Sequence, residues 1–142
     1  MSTPAGTGRA VWAHRARVVE ALVLLGVAHV LRSRVPMRRW ARVLGPHGPA
    51  SVPIVTGPLT GHEADVSRAI AAGVRRTGAN CLEQAVAASV MLRRRRLPGQ
   101  VVIGLDVTDP SQVPHAWFVG ASGLVVVGGD RGRHRPVNQF GD

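Results

Sequence analysis

Cys81, His115 and Asp130 are the residues of this 142-residue chain whose types and order suit covalent chemistry. A histidine can take a thiol proton, the thiolate can attack a carbonyl, and the histidine can return the proton to the leaving amine. A carboxylate then orients the imidazole and stabilises its charged form. Asn80 followed three residues later by Glu83 is a capping-box pattern, which places Cys81 in the first turn of a helix running to about Arg96. The positive end of the helix dipole there favours the nucleophilic thiolate, and a developing oxyanion would lie near the Cys81 backbone N–H. Cys81 is the only cysteine, so no internal disulfide can form, and without a second cysteine or a close histidine pair there is no zinc pattern. A lone cysteine is by itself most simply a buried structural thiol. The order Cys81, His115, Asp130 argues for the chemical reading. The histidines at 14, 29, 47, 62 and 134 lie outside that order and read as structural.

The elements that must position these residues are legible in part. From Ala85 to Leu92 the cysteine helix is apolar nearly all round, as befits the middle of a domain. Thr60 and Glu63 form a second capping-box pattern, opening a helix to about Arg76, and the turn at 77–79 delivers the chain to Asn80. The run Arg93 to Arg96 complements the dipole at the end of the cysteine helix, and Leu97-Pro98-Gly99 stops it. Val101 to Val107 reads as a strand buried on both faces. His115 opens an alternating strand, and Leu124 to Val127 forms another, closing an antiparallel meander. A two-residue turn at Ala121-Ser122 would set Val119 against Leu124, Trp117 against Val126 and His115 against Gly128. Asp130 would then lie diagonally across from His115, about 7 to 8 Å away at the backbone. A three-residue loop, or a bulge at Gly128-Gly129, would change the face that Asp130 occupies.

Ahead of these elements, helical periodicity runs from about Ala10 to Arg32, with Trp12, Ala16, Val19, Val23 and Val30 on one stripe. Its uninterrupted apolar run, Ala21 to Ala28, is far shorter than the ~20 residues a membrane span needs, and no secretory signal pattern is present, so a cytoplasmic chain is expected. A short helix follows Pro36 and stops at Gly45. Gly45 to Gly61, rich in proline and glycine, reads as a linker. The chain therefore divides into an N-terminal helical region with its linker, 1–61, and a catalytic domain, 62–142. All 18 basic residues are arginine and the net charge is +10, which predicts attraction to acidic partners without choosing among them. Arg32, Arg34, Arg38, Arg39 and Arg42 cluster at the helix junction as a solvated face or a docking surface.

A helix bearing a thiol at its N-terminus, followed by histidine and carboxylate, resembles papain-like and transglutaminase-like enzymes. The order Cys-Leu-Glu-Gln-Ala at 81–85, the strand at 101–105, His-Ala-Trp at 115–117 and Asp130 resembles one family closely, over roughly Glu63 to Asp130. These are the B2 proteins of lasso peptide biosynthesis, transglutaminase-like cysteine leader peptidases. The resemblance implies an α+β fold with the cysteine helix packed on a small antiparallel sheet, a Cys81-His115-Asp130 triad, and no cofactor or metal. It also implies a lasso precursor peptide as substrate through its leader region, a separate recognition-element protein (B1) that captures the leader, and an ATP-dependent macrolactam cyclase as a further candidate partner. Nothing in Met1 to Gly61 resembles the recognition module, so a partner acting in trans is expected, with no role for nucleic acid. Two alternatives stand beside this reading. Transglutaminase-like and acetyltransferase-like acyl transferases share the Cys, His, Asp order, and a non-catalytic basic binding module would account for the charge.

Overall fold

The computed structural model describes residues 5–50, 55–106, 108, 113–128 and 134–141. With no proline to interrupt it, the first helix, α1, runs from Ala5 to Arg34. It is apolar on two opposite faces. Val18, Ala21, Leu25 and Ala28 are buried, whereas Trp12, Val19, Val23 and Val30 of the expected stripe are exposed, Trp12 by 69%. The inward face carries small residues that let helices approach closely. At Gly73 of the neighbouring helix a Cβ would come within 2.8 Å of Leu25 Cδ1. A short helix, α2 (Met37–Trp40), continues as a 3-10 turn over Ala41–Leu44 and buries Trp40 and Leu44.

Two helices follow: α3 (Gly61–Thr77) and α4 (Cys81–Arg94). The C-cap of α3 is Gly78, left-handed at φ 66°, which turns the chain into Asn80 within three residues. The capping box expected at α3 is absent: Thr60 makes no side-chain cap hydrogen bond. The Glu63 carboxylate instead accepts from the Ser122 N–H, at 3.1 Å, and from the Ser122 hydroxyl. Tertiary partners outcompete the local cap because Glu63 is buried beside Gly120, where any Cβ would strike its carboxylate at 2.2 Å. Helix α4 is the central element, with Ala85, Val86, Ala87, Ala88, Ser89, Met91 and Leu92 all buried. Arg96 closes it in the left-handed conformation, φ 60°, and the Leu97 N–H returns to the Leu92 carbonyl at 3.0 Å. The arginine run does more than complement the dipole: Arg94 and Arg95 ion-pair with Glu20 of α1, and Arg93 donates to the Val43 carbonyl.

Among the described residues, five antiparallel strands pack against these helices: β1 (His47–Pro49), β2 (Gly99–Asp106), β3 (His115–Gly120), β4 (Val125–Val127) and β5 (His134–Phe140), in the order β1-β5-β2-β3-β4. The α+β architecture, with the cysteine helix on a small antiparallel sheet, is the expected one. The segment read as a linker supplies β1, and the tail supplies β5, inserted between β1 and β2. Strand β2 is therefore central and buried on both faces. Val101 faces the helices with Ala116, Phe118 and Phe140, while Val102 packs with Trp117 and Val119 on the opposite side. The first of these cores also takes in Val18, Ala21, Leu25 and Ala28, so α1 shares one interior with α4 and the sheet.

The β3–β4 turn differs from the two-residue form. Gly120 N–H bonds the Leu124 carbonyl and Gly123 N–H bonds the Gly120 carbonyl, both at 3.0 Å, with Gly123 at φ 81°. Three residues thus form the loop, the extra one being a left-handed glycine. Val119 pairs with Val125 instead of Leu124, and a further shift pairs Phe118 with Val127. Among the described residues no helix is long and apolar enough to cross a membrane.

Candidate active site

Asn80 caps α4 as its sequence predicts. Its Oδ1 accepts from the Glu83 N–H at 2.9 Å, and Glu83 Oε2 accepts from the Asn80 N–H at 3.1 Å, completing the box. Glu83 also binds α1: Oε1 accepts from His29 Nδ1 at 3.0 Å and from Arg32 Nε at 2.8 Å. Burial pushes this carboxyl up, but the hydrogen bonds from Arg32, His29 and the Asn80 N–H outweigh it and hold the group below its ordinary value. The first turn of α4 is thereby fixed from both ends of one side chain. Of the arginines grouped at the helix junction, Arg32 is thus engaged by a buried carboxylate while its own side chain stays exposed.

Cys81 is half-buried on that first turn, and its Sγ accepts from the Ala116 N–H of β3 at 3.4 Å. The thiol consequently lies against the backbone one residue from His115. The His115 ring is held from the other side. Its Nε2 bonds the Gly128 carbonyl, and since a carbonyl only accepts, Nε2 carries the proton and Nδ1 is the basic nitrogen. Nδ1 has no hydrogen-bond partner among the described residues, nor do the backbone N–H groups of Cys81 and Leu82. A nucleophile and two unclaimed donors at a helix N-terminus thus stand one strand residue from a base in the tautomer able to accept a proton, whose ring stacks on Trp117 rather than on the thiol. No hydrogen bond joins Cys81 to His115.

Glycines shape the ground beneath the imidazole. Trp117, fully buried, lies over Gly104 of β2, where a Cβ would approach its ring to 2.6 Å, and under Gly128, where a Cβ would meet Trp117 Cβ at 2.2 Å. Gly128 sits at φ 130°, so only glycine fits there by conformation and by space alike.

Asp130 lies outside the described residues. His134, read from the sequence as structural, and Asp106 do reach this end of the sheet. The His134 ring is 5.0 Å from that of His115, and Asp106, which pairs with His134 in the β2–β5 register, sits diagonally from His115 on the same face of the sheet. His134 is thus not remote from the candidate triad. Asp106 Oδ1 accepts from both the N–H and the hydroxyl of Thr108. The signal for His134 was hidden in Arg-His-Arg-Pro, which has neither apolar alternation nor turn chemistry. No group of three or more metal-ligating side chains occurs among the described residues.

A family model described as the transglutaminase-like superfamily matches residues 21–139, most of the chain, from within α1 through β5. The chain belongs to the transglutaminase-like superfamily. No curated protein and no solved structure matches it. This superfamily includes cysteine peptidases and acyltransferases, and the arrangement around Cys81 is one that either chemistry can use. The match begins inside α1, in keeping with a helix whose inner face belongs to the common core.

Proposed function

We propose that this transglutaminase-like protein is a cysteine peptidase that removes the leader from a lasso precursor peptide. The observation that carries the chemistry is the pairing of Cys81 Sγ with the Ala116 N–H, beside a His115 ring whose Nε2–H is engaged by Gly128. His115 Nδ1 takes the thiol proton, and the thiolate attacks the scissile carbonyl. The oxyanion is met by the Cys81 and Leu82 N–H groups, and His115 returns the proton to the departing amine. Water then resolves the thioester. Asp130 is the proposed third member, orienting the imidazole and stabilising its charged form. The order of motifs from Cys81 to Asp130 supports a lasso leader as substrate. A separate recognition-element protein would deliver that leader, and tethering of this kind raises effective affinity by roughly 10²- to 10⁴-fold. The macrolactam cyclase, acting on the product, is a further proposed partner.

The test is cleavage of a lasso precursor peptide, with and without a recognition-element protein, in ¹⁸O-labelled water and with a primary amine present. Peptidase action yields a labelled carboxylate, whereas an amine adduct as the main product would assign acyl transfer. Wild-type cleavage by Cys81→Ala would remove the enzyme reading altogether.

A further inference from the structure

From the geometry around α2 we infer a peptide-docking groove for a segment that combines carboxylates with an apolar side chain. The groove, of about 580 Å³, runs between α2 and the edge of the sheet. Its walls are Met37 and Ala41 on one side and Pro46 and Phe140 on the other, with the His47 ring 5.4 Å from that of Phe140. Arg38 of α2 and Arg42 of the 3-10 turn that follows it also line the groove. Both are exposed, and neither is ion-paired with any described residue. Among the described residues no carboxylate lines the groove.

These features select the occupant. Two unpaired guanidiniums above an apolar floor suit a ligand with acidic groups flanking an apolar one, because guanidinium pairs with carboxylate in a planar, bidentate way. The volume lies within the usual range of ligand-binding clefts. Strand β1 is the edge of the sheet, yet it has only three residues and ends in Pro49, which has no N–H to extend a ladder. Recognition would therefore run through side chains rather than through an added strand. A second copy of this chain is a poor occupant, since its net charge of +10 would set like charges together. Under the leader-peptidase reading the segment belongs to the leader peptide. Binding itself does not depend on turnover, so the two ideas fail separately.

The experiment is fluorescence anisotropy of the full chain with a labelled peptide carrying Glu-Phe-Glu-Leu between Gly-Ser flanks. Three controls accompany it: Glu-Ser-Glu-Ser and Lys-Phe-Lys-Leu in the same flanks, and a single-stranded oligothymidylate. The acidic-apolar peptide should bind at least about tenfold tighter than either control peptide and should not be displaced by the oligonucleotide at moderate salt. Arg38→Glu with Arg42→Glu should weaken it by about tenfold or more while the melting temperature holds. If that pair of reversals unfolds the chain, Arg38→Gln with Arg42→Gln replaces it, and Met37→Ser tests the apolar wall independently. Equal binding by Glu-Ser-Glu-Ser, displacement by the oligonucleotide, or unchanged affinity in the folded variants would each overturn the proposal.

Discussion

The Cys81 and His115 side chains are held by backbone groups: Sγ by the Ala116 N–H and Nε2 by the Gly128 carbonyl. A backbone partner fixes direction and tautomer without contributing a charge. The part of a carboxylate would then be chiefly to stabilise the imidazolium that forms during turnover, and Asp130 is the residue proposed for it. Asp130→Asn should lower turnover by orders of magnitude, up to about 10⁴-fold, with peptide binding and melting temperature nearly unchanged. Asp106→Asn is the paired measurement. Should it carry the kinetic loss while Asp130→Asn does not, the third member is Asp106, which the sheet register already places on the face of His115. Gly128 gives a second residue-scale prediction. Gly128→Ala drives a methyl into Trp117 at a φ of 130° and displaces the carbonyl that holds His115. The cost should be on the order of 1 to 3 kcal/mol, together with loss of activity, and a chemical melt matching the wild type would refute the packing argument.

Among the elements, α4 shows what a sequence makes visible. Asn80 and Glu83 announce its start, and an apolar run marks it as interior, both local facts that the tertiary structure leaves standing. Thr60 and Glu63 present the same local pattern, yet Glu63 is recruited to the β3–β4 turn by Ser122, a partner nearly sixty positions away that no local rule reveals. The stripe on α1 was visible as a stripe but not as the outer one, because both faces of that helix are apolar and only the close approach at Gly73 decides between them. Strands β1 and β5 were hidden for another reason. Each carries a proline, and in β5 charged and polar residues alternate with only modest apolar ones, so their strand identity comes from pairing with each other and with β2. The same sheet end holds His134, so missing the strand meant missing the histidine. One element end carries a stability prediction. Arg96 adopts the left-handed conformation at the close of α4, where glycine meets no steric penalty. Arg96→Gly should raise stability by about 0.5 to 1 kcal/mol, and a fall in urea midpoint would show that the Arg96 side chain contributes more than its backbone costs.

For the molecule as a whole, the long helix α1 is fastened to the cysteine-bearing helix by two carboxylates near opposite ends of α4. Glu83 joins its N-terminus to His29 and Arg32, and Glu20 joins Arg94 and Arg95 at its C-terminus. The hydrogen bond from Arg95 outweighs desolvation at Glu20 and, with the charges of Arg95, Arg94 and Arg17, holds that carboxyl below its ordinary value, the direction also found at Glu83. A carboxyl whose folded-state pKa is depressed binds fewer protons when folded than when unfolded. Its stabilisation is therefore present above the unfolded value, about 4.3 for glutamate, and is lost as pH falls through the lower folded value. Stability should be level with respect to these two groups near neutrality and should decline below about pH 4.3. Glu20→Gln with Glu83→Gln should be less stable than wild type at pH 7 and should lose less on acidification, so that the two curves converge toward pH 3. The cost at pH 7 should fall mainly on the Glu83 change, because its carboxylate is buried whereas the Glu20 pairs include the well-exposed Arg94. Urea melts from pH 7 to pH 3 measure both differences. Parallel curves would mean that these carboxylates do not govern acid stability, and a larger loss from Glu20→Gln alone would place the main attachment of α1 at the far end of α4, away from the thiol.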